Sequence, residues 1–199
     1  DIKIKKMLSY EESLKILKDT NALIEGHFIL SSGLHSSQYI QCAQLLSKPS
    51  QAFDLCSSLA EKINKEFLNF DLVLSPAMGG VIIGYEIGKI LKKNAIFSER
   101  VNGKFFLRRN FKINKGSKVL IVEDVITTGK SSLECSELIK SSGGLLIGYA
   151  CIIDRSNGKS LIKDKIVSQI EINIPSYTKD NLPKNLLNIN AIKPGSRNL

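Results

Sequence analysis

Val119-Leu120-Ile121-Val122-Glu123-Asp124-Val125-Ile126-Thr127-Thr128-Gly129-Lys130-Ser131-Ser132 is the stretch that decides how this chain is read. Its four leading apolar residues make a strand with no polar face, which belongs inside a sheet covered on both sides. Two carboxylates follow, then two more apolar residues. A run of threonine, glycine, lysine and serine next opens a helix from Ser131 to Ser142, stopped by Gly143-Gly144. Such a loop offers backbone N–H groups, hydroxyls and a helix N-terminus, the parts of a phosphate cradle. The acids just before it suit the hydroxyls of a sugar whose phosphate the loop holds. Gly129-Lys130-Ser131 also invites comparison with the G-x-x-x-x-G-K-[ST] nucleotide loop. That motif requires glycine at 124, where this chain has Asp124.

Outward from this stretch, strands and helices alternate. Asp71 to Ser75 reads as a buried strand, and Gly79 to Lys93 as a helix carrying Ile82, Ile83, Ile87 and Ile90. Ala95 to Ser98, Leu145 to Asp154 and Ile166 to Ile172 read as further strands. Upstream, Ser9-Tyr10-Glu11-Glu12 is a capping box before a short helix to Lys18, with Leu14 and Leu17 on one face. Pro49-Ser50 opens a helix to Phe67 with Phe53, Cys56, Ala60, Ile63 and Phe67 at helical spacing. Residues 26–41 read as loops and short strands, and the tail from Pro175 as irregular. The class is α/β: a mostly parallel central sheet flanked by helices. Ligands of such sheets sit outside the carboxyl ends of the strands, so the loops after Ser75, Ser98, Glu123 and Asp154 should converge.

Composition sets the outer limits. A chain of 199 residues fits one domain. An apolar fraction of 43% excludes a largely disordered chain. Apolar runs as short as Leu145-Leu146-Ile147 exclude a membrane-spanning helix. The start, Asp-Ile-Lys-Ile-Lys-Lys, lacks the apolar core of a signal peptide. Cys42, Cys56, Cys135 and Cys151 form no C-x-x-C pair, which argues against structural zinc and for a reducing cytoplasm. The net charge of +9 comes mostly from scattered lysines, so it is weaker evidence for a polyanionic partner than the grouping of Arg100, Arg108 and Arg109 is for phosphate or carboxylate. His27 and His35 have no metal-ligand partner at useful spacing and read as structural or surface residues.

The 119–132 stretch resembles the phosphoribosyl pyrophosphate (PRPP) signature of the type I phosphoribosyltransferases. Gly26 to Gly33 with Ser36 and Tyr39-Ile40, Ser75-Pro-Ala-Met-Gly-Gly80, Phe97 to Arg100 through Leu107 to Arg109, Ile153-Asp-Arg155, Ile174-Pro-Ser-Tyr177 and Ala191 to Arg197 resemble, in matching order, the orotate-specific branch of that family. The resemblance spans residues 10 to 199. It implies a single domain over 1–199, with a core at about 68–165 and a small hood from about 1–45 and 166–199.

It further implies transfer of ribose 5-phosphate from PRPP to N1 of orotate with Mg²⁺. Glu123 and Asp124 match the acids that bind the ribose hydroxyls, with Asp124 counted among the catalytic residues. Val125, Ile126, Thr127, Thr128, Gly129, Lys130 and Ser131 match the PRPP loop, and Met78 and Gly79 the loop facing pyrophosphate. Thr127, Arg155, Tyr39 and Ile40 match the orotate contacts; an arginine pairs with a carboxylate bidentately. Arg100 and Lys104 match the basic catalytic residues of a mobile loop that closes over the neighbouring subunit's site, so a homodimer is implied. The same segment reads independently as a β-hairpin around Asn102-Gly103. The resemblance implies no protein metal ligand: PRPP and water hold Mg²⁺, near Asp124. It leaves room for a separate orotidylate decarboxylase partner, since a chain this short cannot also hold that barrel.

The chain departs from the family pattern at four positions. Cationic or titratable residues common in the family are replaced by Ser31, Gly79, Val101 and, approximately, Phe106. Arg108, Arg109 or Lys112 are candidates to restore that charge. Two rival readings remain beside the main one: a purine phosphoribosyltransferase of the same fold, and a PRPP-sensing regulator that binds nucleic acid. No helix-turn-helix or aromatic-interleaved basic strand supports the regulator, so no specific nucleic-acid partner is expected.

Overall fold

The computed structural model describes residues 7–30 and 32–194. Ser31, the Asp1–Lys6 start and the Gly195-Ser196-Arg197 match lie outside the described residues. In chain order the elements are α1 (Tyr10–Asp19), β1 (Leu23–Ile29), β2 (His35–Ile40), α2 (Cys42–Leu46), α3 (Pro49–Glu66), β3 (Leu72–Pro76), α4 (Gly80–Leu91), β4 (Asn94–Val101), β5 (Lys104–Leu107), β6 (Lys118–Ile126), α5 (Lys130–Ser141), β7 (Leu145–Asp154), β8 (Ile166–Glu171) and β9 (Ser176–Tyr177). The capping box at the start of α1 forms in both directions: Ser9 Oγ accepts from Glu12 N–H, and the Glu12 carboxylate accepts from Ser9 N–H.

Six strands form the main sheet in the order β5-β4-β3-β6-β7-β8. All neighbours run parallel except β5, which returns antiparallel along β4. The continuous apolar runs are explained by burial on both faces. On β6, Leu120 and Val122 join the core under α3 and α4, while Val119 and Ile121 join the core under α5. On β7, Ala150 and Ile152 face the first layer, Tyr149 and Cys151 the second. All four cysteines are buried and free. Ile82, placed by its spacing on the packed face of α4, is 54% exposed; Ile83, Ile87 and Ile90 carry that packing instead.

The predicted hairpin is present. Val101 pairs with Lys104 across Asn102 and Gly103, which take φ of 48° and 81°, the left-handed pair that a two-residue turn demands. The hood is a second sheet of order β1-β2-β9, where residues 26–41 form a strand pair. Ser36 Oγ donates to the carbonyls of Gln38 and Pro175, and Ile192 bridges to Phe28, so the tail is tied down without long strands. Helix α2 was not evident from the sequence. β8 forms the edge of the main sheet, and strand pairing of the tail with the hood begins at Ser176. Among the described residues, no helix is long and apolar enough to cross a membrane.

Candidate functional site

Parallel strands bring their carboxyl ends to one edge, and the loops leaving β3, β4, β6 and β7 are cross-linked there. Ala77 N–H donates to the Ser98 carbonyl, Arg155 N–H to the Ile126 carbonyl and Leu161 N–H to the Thr128 carbonyl. The convergence expected from the sheet geometry is therefore present.

At the end of β6, Glu123 is buried and accepts a hydrogen bond from Ser132 Oγ at 2.8 Å. Burial pushes its carboxyl up to about 7; the Ser132 bond opposes that shift and the neighbouring Asp124 adds to it. Asp124 is half-buried and is also raised by burial, against the hydrogen bond its Oδ1 accepts from Val125 N–H. Its carboxylate lies against the loop after β3. A Cβ on Gly79 would stand 2.7 Å and 2.9 Å from the two Asp124 oxygens. Gly79 has helical φ and ψ, so what requires glycine is space and not conformation. Ala77-Met78, in the same loop, is a cis peptide.

Two helices begin beside these acids. α4 starts after Gly79 and α5 after Gly129; neither has a side-chain cap or an acid in its first turn. Lys130 N–H donates to Thr128 Oγ1 at 3.4 Å and Val81 N–H to the Met78 carbonyl at 3.2 Å; the other leading N–H groups and the positive dipole ends face outward to anions. Gly129 has φ of +78°, and a Cβ there would stand 2.7 Å from Ser160 Oγ and 2.8 Å from Ile162. Both conformation and space demand glycine at the turn into α5. Thr127, Thr128 and Lys130 are exposed at the loop surface, and Ser131 and Val125 are half-buried. Ile126 is 1% exposed, so it lends the loop backbone and not its side chain. Met78 is exposed beside α4.

Arg155 is tied by its backbone to Ile126, next to Thr127. Its side chain is half-buried, and burial lowers the guanidinium's pKa against the pull of Tyr39. Tyr39 comes across from the hood, its ring 5.7 Å from that of Phe28. The neighbouring Asp154 turns away to accept from Ser156 N–H through its Oδ1. Ile40 packs against the core, so it and Tyr39 face opposite sides of β2, as strand neighbours must.

The hairpin's basic residues sit apart from the loop after β6. Arg100 donates to the Gly103 carbonyl, lies 4.1 Å over the Phe105 ring and pairs with Glu134 on α5 at 2.6 Å. Lys104 lines a cavity of 470 Å³ with Gly103, Phe105, Glu134, Glu137 and Ser141. The other clustered arginines are held at the base of the hairpin. Arg109 grips both Glu99 oxygens at 3.0 and 3.1 Å, and Arg108 stands 3.9 Å from Glu99. That pairing holds the Glu99 carboxyl below its ordinary range. Arg108 and Arg109 thus brace the hairpin through Glu99. His27 and His35 are buried in the hood, with His27 Nε2 2.6 Å from His35 Nδ1 and His27 Nδ1 bonded to the Ile189 carbonyl.

Ser132 and Glu134 had no assigned role in the sequence. Ser132 stands inside the decisive stretch, but only the fold turns its hydroxyl back to Glu123. The pairing of Glu134 with Arg100 crosses between α5 and the hairpin, and no local pattern announces it.

Comparison with known proteins agrees with this geometry. The family model described as the phosphoribosyl transferase domain matches residues 43–181. The chain is 46% identical, over 96% of its length and 100% of the relative's, to the orotate phosphoribosyltransferase of Parvibaculum lavamentivorans. It is 47% identical to that of Sphingopyxis alaskensis over 95% of this chain and 97% of that one. Among solved structures, the orotate phosphoribosyltransferase from Aeropyrum pernix superimposes with a TM-score of 0.68 at 28% identity, covering 79% of this chain and 92% of that one.

Proposed function

The chain belongs to the phosphoribosyl transferase family, in its orotate phosphoribosyltransferase branch, and from that premise we propose how its residues divide the work. The reaction is transfer of ribose 5-phosphate from PRPP to N1 of orotate, releasing pyrophosphate. The observation that carries the reading is the pair of uncapped helix N-termini at Gly79 and Gly129 flanking Glu123 and Asp124. A ligand with an anion at each end and hydroxyls between them matches that layout.

The 5′-phosphate lies on the Thr127–Ser131 loop, the ribose hydroxyls on Glu123 and Asp124, and the pyrophosphate on the turn before α4. Arg155, with Thr127 and Tyr39, holds orotate by its carboxylate and ring. Bond cleavage builds positive charge on the ribose and negative charge on the leaving group. The carboxylates stabilise the first; Arg100 and Lys104, brought over by the hairpin, stabilise the second. Closure of the hairpin keeps water from the activated ribose.

Mg²⁺ fits as a passenger of the substrate. Among the described residues no group of three or more His, Cys, Asp or Glu could hold a metal. Asp124 would hold, through water, a cation that arrives with the substrate. When bound, it neutralises charge on the pyrophosphate oxygens.

The working unit we propose is a homodimer. Arg100 and Lys104 lie against α5 and not over their own chain's loop, so a second copy completes the site. Ile82 and Tyr85, 54% and 66% exposed, form an apolar stripe on α4 for that contact. Ile82→Asp should convert a dimer to monomers in sedimentation and lower turnover; a variant still dimeric would move the interface elsewhere. We place the protein in the cytoplasm, where free buried cysteines persist, upstream of a separate decarboxylase.

The deciding experiment mixes purified protein with PRPP, Mg²⁺ and orotate and follows the loss of orotate absorbance. Adenine, hypoxanthine and uracil serve as parallel bases. Consumption of orotate alone is expected; consumption of another base, or of none, would sink the assignment.

A further inference from the structure

Glu123 is a buried carboxylate whose orientation decides whether it can accept from a ribose hydroxyl. The group that sets this orientation is Ser132, 0% exposed, whose Oγ donates to Glu123 Oε1 at 2.8 Å. Ser132 lies on the first turn of α5, the same turn whose leading N–H groups end the phosphate loop. The loop cannot shift independently of that turn: Leu133 N–H bonds back to the Gly129 carbonyl, and Thr128 is pinned through its carbonyl by Leu161 N–H. Gly129 is enclosed by Ser160 and Ile162. One short rigid element thus touches both the phosphate subsite and the ribose acid.

We infer that Ser132 is a positioning residue that couples the two subsites, holding Glu123 in the orientation that grips ribose while α5 receives the 5′-phosphate. This deepens the PRPP-binding reading and rests on it. The bond fixes Oε1 and leaves Oε2 as the oxygen for the ribose hydroxyl. Without the hydroxyl, the carboxylate loses its partner, its rotamer is released, and the ribose end of the ligand loses its grip. The phosphate end, held by backbone N–H groups, keeps its own. Ser132 therefore acts on the ribose contribution to affinity and not on the phosphate contribution.

The test compares two probes by calorimetry, ribose 5-phosphate and inorganic phosphate, on wild type, Ser132→Ala, Glu123→Ala and the double variant. Ser132→Ala should weaken ribose 5-phosphate about five- to tenfold and change inorganic phosphate less than about twofold. In the Glu123→Ala background the serine change should add less than about twofold, because the acceptor of its hydroxyl is gone. Ser132→Thr, which keeps the hydroxyl, guards against simple misfolding and should restore most of the ribose 5-phosphate affinity. Equal weakening of both probes, or a full Ser132→Ala effect in the Glu123→Ala background, would make the serine merely structural and overturn the inference. Wild type that binds inorganic phosphate but gains nothing from the ribose would overturn the PRPP reading itself, a distinct outcome.

Discussion

The Arg100 guanidinium stands 2.6 Å from the Glu134 carboxylate, so the hairpin residue assigned to the leaving group is bound to a helix of its own chain. The ion pair is partly solvated, with side chains 37% and 29% exposed. Phe105, buried beneath Arg100, adds an apolar anchor, but the cavity beside Lys104 leaves the rest of the contact loosely packed. An ion pair this solvated can open, and Phe105 alone then holds the hairpin to α5. Glu134→Gln removes the charge and keeps the shape. A pair of this exposure is worth about 1 kcal/mol, so the detached hairpin should become about fivefold more populated. Amide exchange across residues 99–107 is the measurement; unchanged protection would mean that Phe105 alone holds the hairpin.

Glu123 gives a pH signature with a definite sign. Its folded carboxyl is raised to about 7 by burial, against 4.5 for an ordinary glutamate. Below 4.5 both folded and unfolded forms hold the proton and nothing is lost. As pH rises through the window to 7, the unfolded chain releases a proton that the folded chain keeps, and stability falls. Glu123→Gln lacks this term while still accepting from Ser132. The variant should gain up to about 3 kcal/mol over wild type at pH 8 and little at pH 4.5. Urea midpoints at the two pH values decide it; a gain equal at both would place the effect in packing rather than ionisation.

Gly79 tests the contact between the loop and the acid. A Cβ there would come within 3.0 Å of three Asp124 side-chain atoms while the backbone stays helical and unstrained. Gly79→Ala should therefore fold normally, displace the Asp124 carboxylate and raise KM for PRPP about tenfold, with KM for orotate little changed. Equal shifts in both constants would show that the loop as a whole has moved.

The legible parts of this molecule are those written in local periodicity. Val119 to Ile126 names its own burial, and Ser9 with Glu12 names a helix start. Asn102-Gly103 names a turn, and the run from Thr127 to Ser131 names an anion loop. The exposure of Ile82 and the carboxylate partners of the arginines were not legible, for a shared reason. A helix in a two-layer sheet exposes one flank whatever its residues are, and an arginine's partner is chosen by the fold. Arg109 meets Glu99, ten residues upstream, because the hairpin folds back. Ser132 reaches Glu123 for the same kind of reason, since a strand and the following helix are antiparallel neighbours there.

Lys104 tests the division of labour between copies of the chain. Its loss should lower kcat about a hundredfold if it acts only on the leaving group's developing charge. In the proposed homodimer it would serve the neighbour's site, whereas Asp124 would serve its own. Lys104→Ala and Asp124→Asn homodimers should each be nearly inactive. Exchanging subunits between them creates mixed dimers in which one site carries both lesions and the other carries neither. Random exchange makes half the dimers mixed, so activity should recover to about a quarter of wild type. Recovery requires the lysine to cross the interface. If both residues acted within one chain, every site in the mixture would carry one lesion and activity would stay at the level of the parents.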